Sequence, residues 1–183
     1  IDPIFGRDIG FYIFVLPFYA FIRNGSMVLF LFAAGLTLIW YLKNGALQLV
    51  GEITQEEGKP PSLPKISVAP GVGKHLAFLA GIMVLLLSWG YQLKIYSLLY
   101  STQGPAFGAS FTDVHVKVLA YRALIVISIA FAALLFFNAF KPGMKRLLIG
   151  GGAWVGSILV FTIILPMAIQ KVVVKPNEFT KES

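Results

Sequence analysis

Asp113, His115, Lys117, Tyr121 and Arg122 are the densest group of reactive side chains in the sequence. Asp113 and Lys117 stand four residues apart, the spacing that lets two side chains pair on one helical face, and Tyr121 continues that face. Arg122 falls about one turn inside an apolar run, and an ionisable residue at a membrane boundary is a functional candidate by default. Such a group suits a cation or proton site, a solute site or an anchor for an anionic headgroup. The plainer reading is a helix start with a cap, an ion pair and a snorkelling arginine. A metal centre is disfavoured, because Asp113 and His115 are two residues apart and no second ligand pair accompanies them. The absence of cysteine removes disulfides, thiolate metal sites and cysteine nucleophiles from consideration.

His75 and His115 are the only histidines. They mark the ends of two different apolar runs and fall on opposite faces of a bilayer core about 30 Å thick, so they cannot share one haem. A single histidine can ligate a pigment, but His75 follows Lys74 and reads as a boundary residue. No Ser-His-Asp set, paired carboxylates or zinc spacing is present. The expectation is a protein with no catalytic residues, no metal and no cofactor. Gly152 and Gly156 form a small-xxx-small pair of the kind that lets two membrane helices approach closely, and Ala77 with Gly81 is a weaker version. The surrounding Gly150–Gly156 stretch is not a dinucleotide fingerprint, because it lies inside an apolar run.

The elements that must carry these residues are set by composition. The chain is 57% hydrophobic and only 13% charged, where a soluble domain carries about 25% charge. The net charge of +7 comes from Lys and Arg placed mostly singly between apolar runs. That pattern suits lipid headgroups and excludes a nucleic-acid face. Four runs approach the roughly 20 residues that cross a bilayer, at about 26–43, 75–93, 118–140 and 147–169, and none contains Asp or Glu. Backbone groups in lipid must pair within their own segment, so these runs are predicted to be helices. A shorter run, Ile9–Ile22, carries Pro17 and is followed by Arg23-Asn24-Gly25-Ser26. It is expected to be an interfacial or re-entrant helix in a separate segment 1–25, with a short tilted span as the alternative. The fold class is thus an all-α membrane protein, a bundle of about four transmembrane helices over 26–170 plus that N-terminal helix.

The stretch from Gly51 to Lys74 holds three Glu and four Pro, which predicts an extended loop. Lys141–Arg146 contains Pro142 and Gly143 and predicts a tight turn between antiparallel neighbours. Trp40, Tyr41, Trp89, Tyr91, Tyr96 and Tyr100 sit near run ends as belt residues, and Gln92 and Asn138 read as caps. Positive charge divides almost evenly between the two sides, but its density in the short Lys141–Arg146 turn favours that side as cytoplasmic. The chain opens at Ile1 without Met and ends in a polar stretch, so both ends are expected to be cut from a longer protein.

Several stretches together carry a resemblance: Asp2-Pro3-Ile4-Phe5-Gly6-Arg7-Asp8-Ile9-Gly10-Phe11-Tyr12, Leu16-Pro17-Phe18, Gly108-Ala109-Ser110-Phe111-Thr112-Asp113-Val114-His115 and Lys175-Pro176-Asn177-Glu178. In this order they resemble the bacterial uncharacterised protein family 0182, large integral membrane proteins with about seven spans and a large extracytoplasmic domain. The resemblance implies that this chain is the later part of the membrane region, with 171–183 starting the extracytoplasmic segment. It implies a multi-pass protein of the bacterial inner membrane with an outward C-terminus, which agrees with the charge density of the turn. The expected role is an anchor, scaffold or subunit of a larger membrane assembly, the alternative being part of a transporter or lipid-handling protein. Expected partners are the lipid bilayer, other membrane subunits, or further spans and the outer domain of the same protein.

Overall fold

The computed structural model describes residues 5–50, 65–69, 71–98 and 116–169. Four of its helices are long and apolar enough to cross a membrane: Phe11–Lys43, Val72–Ser97, Val118–Phe140 and Lys145–Ile164. The four expected runs are therefore helical.

The first helix departs from expectation. A π-helical turn, Phe11–Val15, runs directly into α1, Leu16–Lys43. The N-terminal run is helical, as expected, but it is continuous with the first span rather than a separate element. Two features permit this. Pro17 cannot donate to the Ile13 carbonyl and its ring would strike it, so the helix widens around Ile13 into the π turn. Arg23-Asn24-Gly25-Ser26 stays helical because the next helix supplies Arg23 with a partner. The same device recurs in the last helix. There α4, Met144–Leu159, passes through a π turn, Val160–Ile164, into α5, Leu165–Ile169, which contains Pro166. Each π turn ends two residues before a proline. Pro17→Ala restores the missing N–H and is expected to close the first turn to α geometry. That rotates the residues before it, so the Phe11–Tyr96 ring contact, 5.1 Å between centroids, is lost. Cross-linking of cysteines placed at positions 11 and 96 should then fall sharply.

α1 ends in a Schellman motif. Gly45 has φ +67°, and the Ala46 and Gly45 amides donate to the Tyr41 and Leu42 carbonyls at 2.9 and 3.3 Å. The Gly51–Lys74 stretch, expected to be an extended loop, instead contains β2 (Lys65–Val68) and the start of the next helix, and β2 pairs antiparallel with β1 (Leu47–Val50), just before the stretch, in the register Leu47↔Val68 to Val50↔Lys65. The residues between lie outside the described set. The ribbon brings the chain back beside the end of α1, where Gly71, at φ +91°, turns it into α2, Val72–Ser97. The Tyr41 hydroxyl and His75 Nδ1 are 2.8 Å apart across this junction. Tyr41→Phe removes one exposed hydrogen bond and should cost less than about 1 kcal/mol in unfolding experiments.

α2 packs along α3, Val118–Phe140, over most of its length. Small residues recur one or two helical turns apart on the facing stripes: Ala77, Gly81 and Ser88 on α2, and Ala120, Ser128, Ala132 and Ala139 on α3, all buried. Lipid tails are as apolar as leucine, so association in lipid rests on close packing, and small residues allow it. At the expected tight turn, the Asn138 side chain accepts from the Gly143 amide at 2.7 Å, and Arg146 donates to the Lys141 carbonyl at 2.6 Å. Asn138 is therefore a cap. α4 then returns along α3, where Trp154 stacks on Phe131 and its indole N–H donates to Ser128 at 2.9 Å.

Each helix packs chiefly on its neighbours in sequence, which makes an open row of antiparallel helices. In the most apolar stretch of α3, 33% of residues are buried, against none in α1 or the last helix. Among the described residues, nothing covers either edge of the row.

Candidate functional site

Among the described residues, the side chains singled out in the sequence do not all face one surface. Asp113 and His115 lie outside the described residues. Lys117 is half-buried and engaged just before α3. Tyr121 turns inward and stacks on Tyr91, with ring centroids 6.1 Å apart and planes at 18°. Arg122, one residue on, points outward, exposed and without hydrogen bond, ion pair or ring contact among the described residues. A helix advances 100° per residue, so neighbouring residues serve different surfaces.

The glycine pattern is also redistributed. Gly152 and Gly156 have nothing within 4 Å of an added Cβ. α4 instead meets α3 through Gly150, where a Cβ would stand 3.1 Å from Leu134 Cδ1. The weaker pair makes the closest helix contact. Ala77 and Gly81 are buried, and a Cβ on Gly81 would stand 2.5 Å from Phe136 Cε1.

The most structured polar site uses Arg23, which the sequence offered only as a separator. Its guanidinium crosses from α1 to α2. Nε donates to the Leu86 carbonyl at 3.1 Å, and Nη1 donates to Asn24 Oδ1 at 2.8 Å. An α-helical carbonyl is normally committed to the amide four residues on, so this is a second bond to its free lone pair. The guanidinium lies flat on Gly90, where an added Cβ would be 2.7 Å from Nη2. Only glycine leaves room for it. A groove of about 220 Å³ opens there, lined by Leu16, Ala20, Arg23, Asn24, Gly90, Leu93, Lys94 and Ser97. The Lys94 ammonium is 6.0 Å from the Tyr91 ring centroid, and Ser97 Oγ donates to the Lys94 carbonyl at 2.9 Å. Two cations and an amide thus line the groove, and no carboxylate is among its described lining residues. It can bind an anion, and its donor set is wrong for a metal. The available signals in the sequence were an arginine between two apolar runs and a glycine, Gly90, inside another. Neither reveals its partner, because Arg23 and Leu86 stand 63 positions apart in the sequence.

A second groove, about 450 Å³, lies beside His75 and is lined also by Gly71, Lys74, Phe78, Leu79 and Ile82. Its walls are largely apolar.

The model of the Uncharacterised protein family (UPF0182) matches residues 1–183. This chain belongs to that family. Among curated relatives, a UPF0182 protein of Desulforamulus reducens is 36% identical over 183 residues, covering 99% of this chain and 18% of the relative. One from Sulfurovum sp. is 34% identical over 182 residues, with 100% and 18% covered. One from Moorella thermoacetica is 31% identical over 181 residues, with 99% and 19% covered. The chain thus spans about a fifth of the length of these UPF0182 relatives. No solved structure matches it. The family description assigns no activity.

Proposed function

We propose that this chain is a non-catalytic integral domain of a bacterial cell membrane protein, serving as anchor and scaffold within a larger membrane assembly. The observation that carries this reading is the open row. Its two edge helices have no fully buried residue in their most apolar stretches, and among the described residues nothing covers the Gly152–Gly156 surface of α4, which leaves it open to close helix contact. Relatives about five times as long as the matched region supply ample chain to cover such edges. The density of Lys141, Lys145 and Arg146 supports a cytoplasmic α3–α4 turn. Alternation of four crossings then puts the chain after α5 outside.

A lipid-handling or transport role is the second reading. The observation favouring it is the cationic groove at Arg23 and Lys94.

The test is purification of the whole protein from native membranes in mild detergent. Protein subunits held at fixed ratio, or the protein's own further spans packed on α1 and α4, support the scaffold. A lone protein that carries only a specific lipid or solute, and moves it in vesicle transport assays, would contradict it.

A further inference from the structure

We propose that the groove between α1 and α2 holds the phosphate of an anionic phospholipid, bound by Arg23 and Lys94. The proposal shares with the scaffold reading only the membrane placement of the helices.

Depth comes first. Leu86 and Gly90 precede Lys94 by eight and four residues, so the guanidinium sits about 6–12 Å inward of the Lys94 backbone along α2 at about 1.5 Å per residue. The residues on this level are Tyr19 and Trp89, whose rings are 6.2 Å apart, an aromatic pair of the kind found at headgroup depth. Arg23 is therefore at the inner edge of the headgroup zone, where a guanidinium without a counter-charge is costly.

Donor accounting comes next. A guanidinium carries five N–H donors. Among the described residues, two are used, on Leu86 and Asn24. The Asn24 carbonyl oxygen is taken by Arg23, which leaves its amide N–H groups as donors. Lys94 adds three more. The planar fork of Arg beside the point charge of Lys matches a tetrahedral oxyanion, with one bidentate and one single contact. The other walls are Leu16, Ala20 and Leu93, outward of Arg23, and Ser97, whose hydroxyl donates to the Lys94 carbonyl. The depth of the site, level with the Tyr19–Trp89 pair where lipid phosphates lie, favours a lipid over inorganic phosphate. Gly90 completes the site, because any side chain there would occupy the guanidinium's place.

The experiment uses the whole protein in phosphatidylcholine nanodiscs with and without a minor fraction of phosphatidylglycerol. Retained lipid is read by native mass spectrometry. Wild type is expected to retain phosphatidylglycerol preferentially. Arg23→Gln with Lys94→Gln should lower that retention about tenfold or more, and Lys145→Gln, at the other end of the row, should leave it unchanged. Gly90→Leu, which alters no charge, should lower retention as well by displacing the guanidinium. Circular dichroism and gel filtration check that each variant is folded. If the charge variants do not fold, retention by Gly90→Leu decides, compared with Gly73→Leu at an open position near the other end of α2. Equal retention of both lipids by wild type, or unchanged retention in folded groove variants, overturns the proposal. Thermal stabilisation by inorganic phosphate with no lipid retained overturns the lipid assignment.

Discussion

Gly81→Leu should disrupt the α2–α3 interface more than any other single change to a small residue. A Cβ at this position would lie 2.5 Å from Cε1 and 2.7 Å from Cζ of Phe136. The Phe136 ring has little room to retreat, because it packs on Phe78 at 5.1 Å between centroids and borders the buried cluster of Val84, Ala132 and Leu135. Overpacking of this kind costs about 1–3 kcal/mol, and leucine should reach the upper end. Unfolding of the whole protein by SDS titration in mild detergent measures it. Phe136→Ala in the same chain should recover much of the loss, because it clears the space the new side chain needs. A neutral Gly81→Leu, or a double variant as unstable as the sum of its parts, would show that the helices are not this close.

The second large effect belongs to Ser128, which is fully buried and accepts the Trp154 indole N–H. Ser128→Ala leaves that donor facing an apolar interface, a cost of about 1–3 kcal/mol by the usual penalty for an orphaned buried group. Lipid tempers the number. Interhelical hydrogen bonds in membrane proteins couple by about 0.6 kcal/mol on average and about 1.7 at most, since separated helices also find partners. Trp154→Phe removes the donor but keeps an aromatic ring against Phe131. The serine substitution should therefore cost roughly 1 kcal/mol less in the Trp154→Phe background than alone. Additive losses in that cycle would mean the bond contributes nothing to α3–α4 packing.

The parts of this fold legible in the sequence were those fixed by local physics. Apolar length and the absence of Asp and Glu marked the four helices. Pro142 and Gly143 marked the antiparallel turn, and the Asn138 cap was readable from its place beside them. What escaped depended on partners far along the chain. Pro17 and the polar Arg23–Ser26 stretch read as a break. One is absorbed by a π turn, and the other is held by the Leu86 carbonyl and the space over Gly90. The β1–β2 ribbon was hidden by a proline- and glutamate-rich stretch that lowers any strand signal. In the candidate site, Lys117, Tyr121 and Arg122 were noticed for their density. Packing then sends Tyr121 inward and Arg122 outward, whereas the groove is assembled from Arg23 and Lys94, on helices whose adjacency no local pattern announces. Gly152 and Gly156 match a packing motif, yet α3 is met by Gly150, one helical face away.

Photo-cross-linking from the two bare edges bears most directly on the scaffold reading. A photoreactive phenylalanine analogue is placed at Phe32 on α1 or Ile149 on α4, both strongly exposed, in the whole protein in its native membrane. Cross-linked peptides are then identified by mass spectrometry. Scaffold function requires that both positions capture protein segments outside residues 1–183, from the same protein or from a partner subunit. Capture of lipid alone at both edges, or of α1 by α4 in a closed bundle, would contradict it.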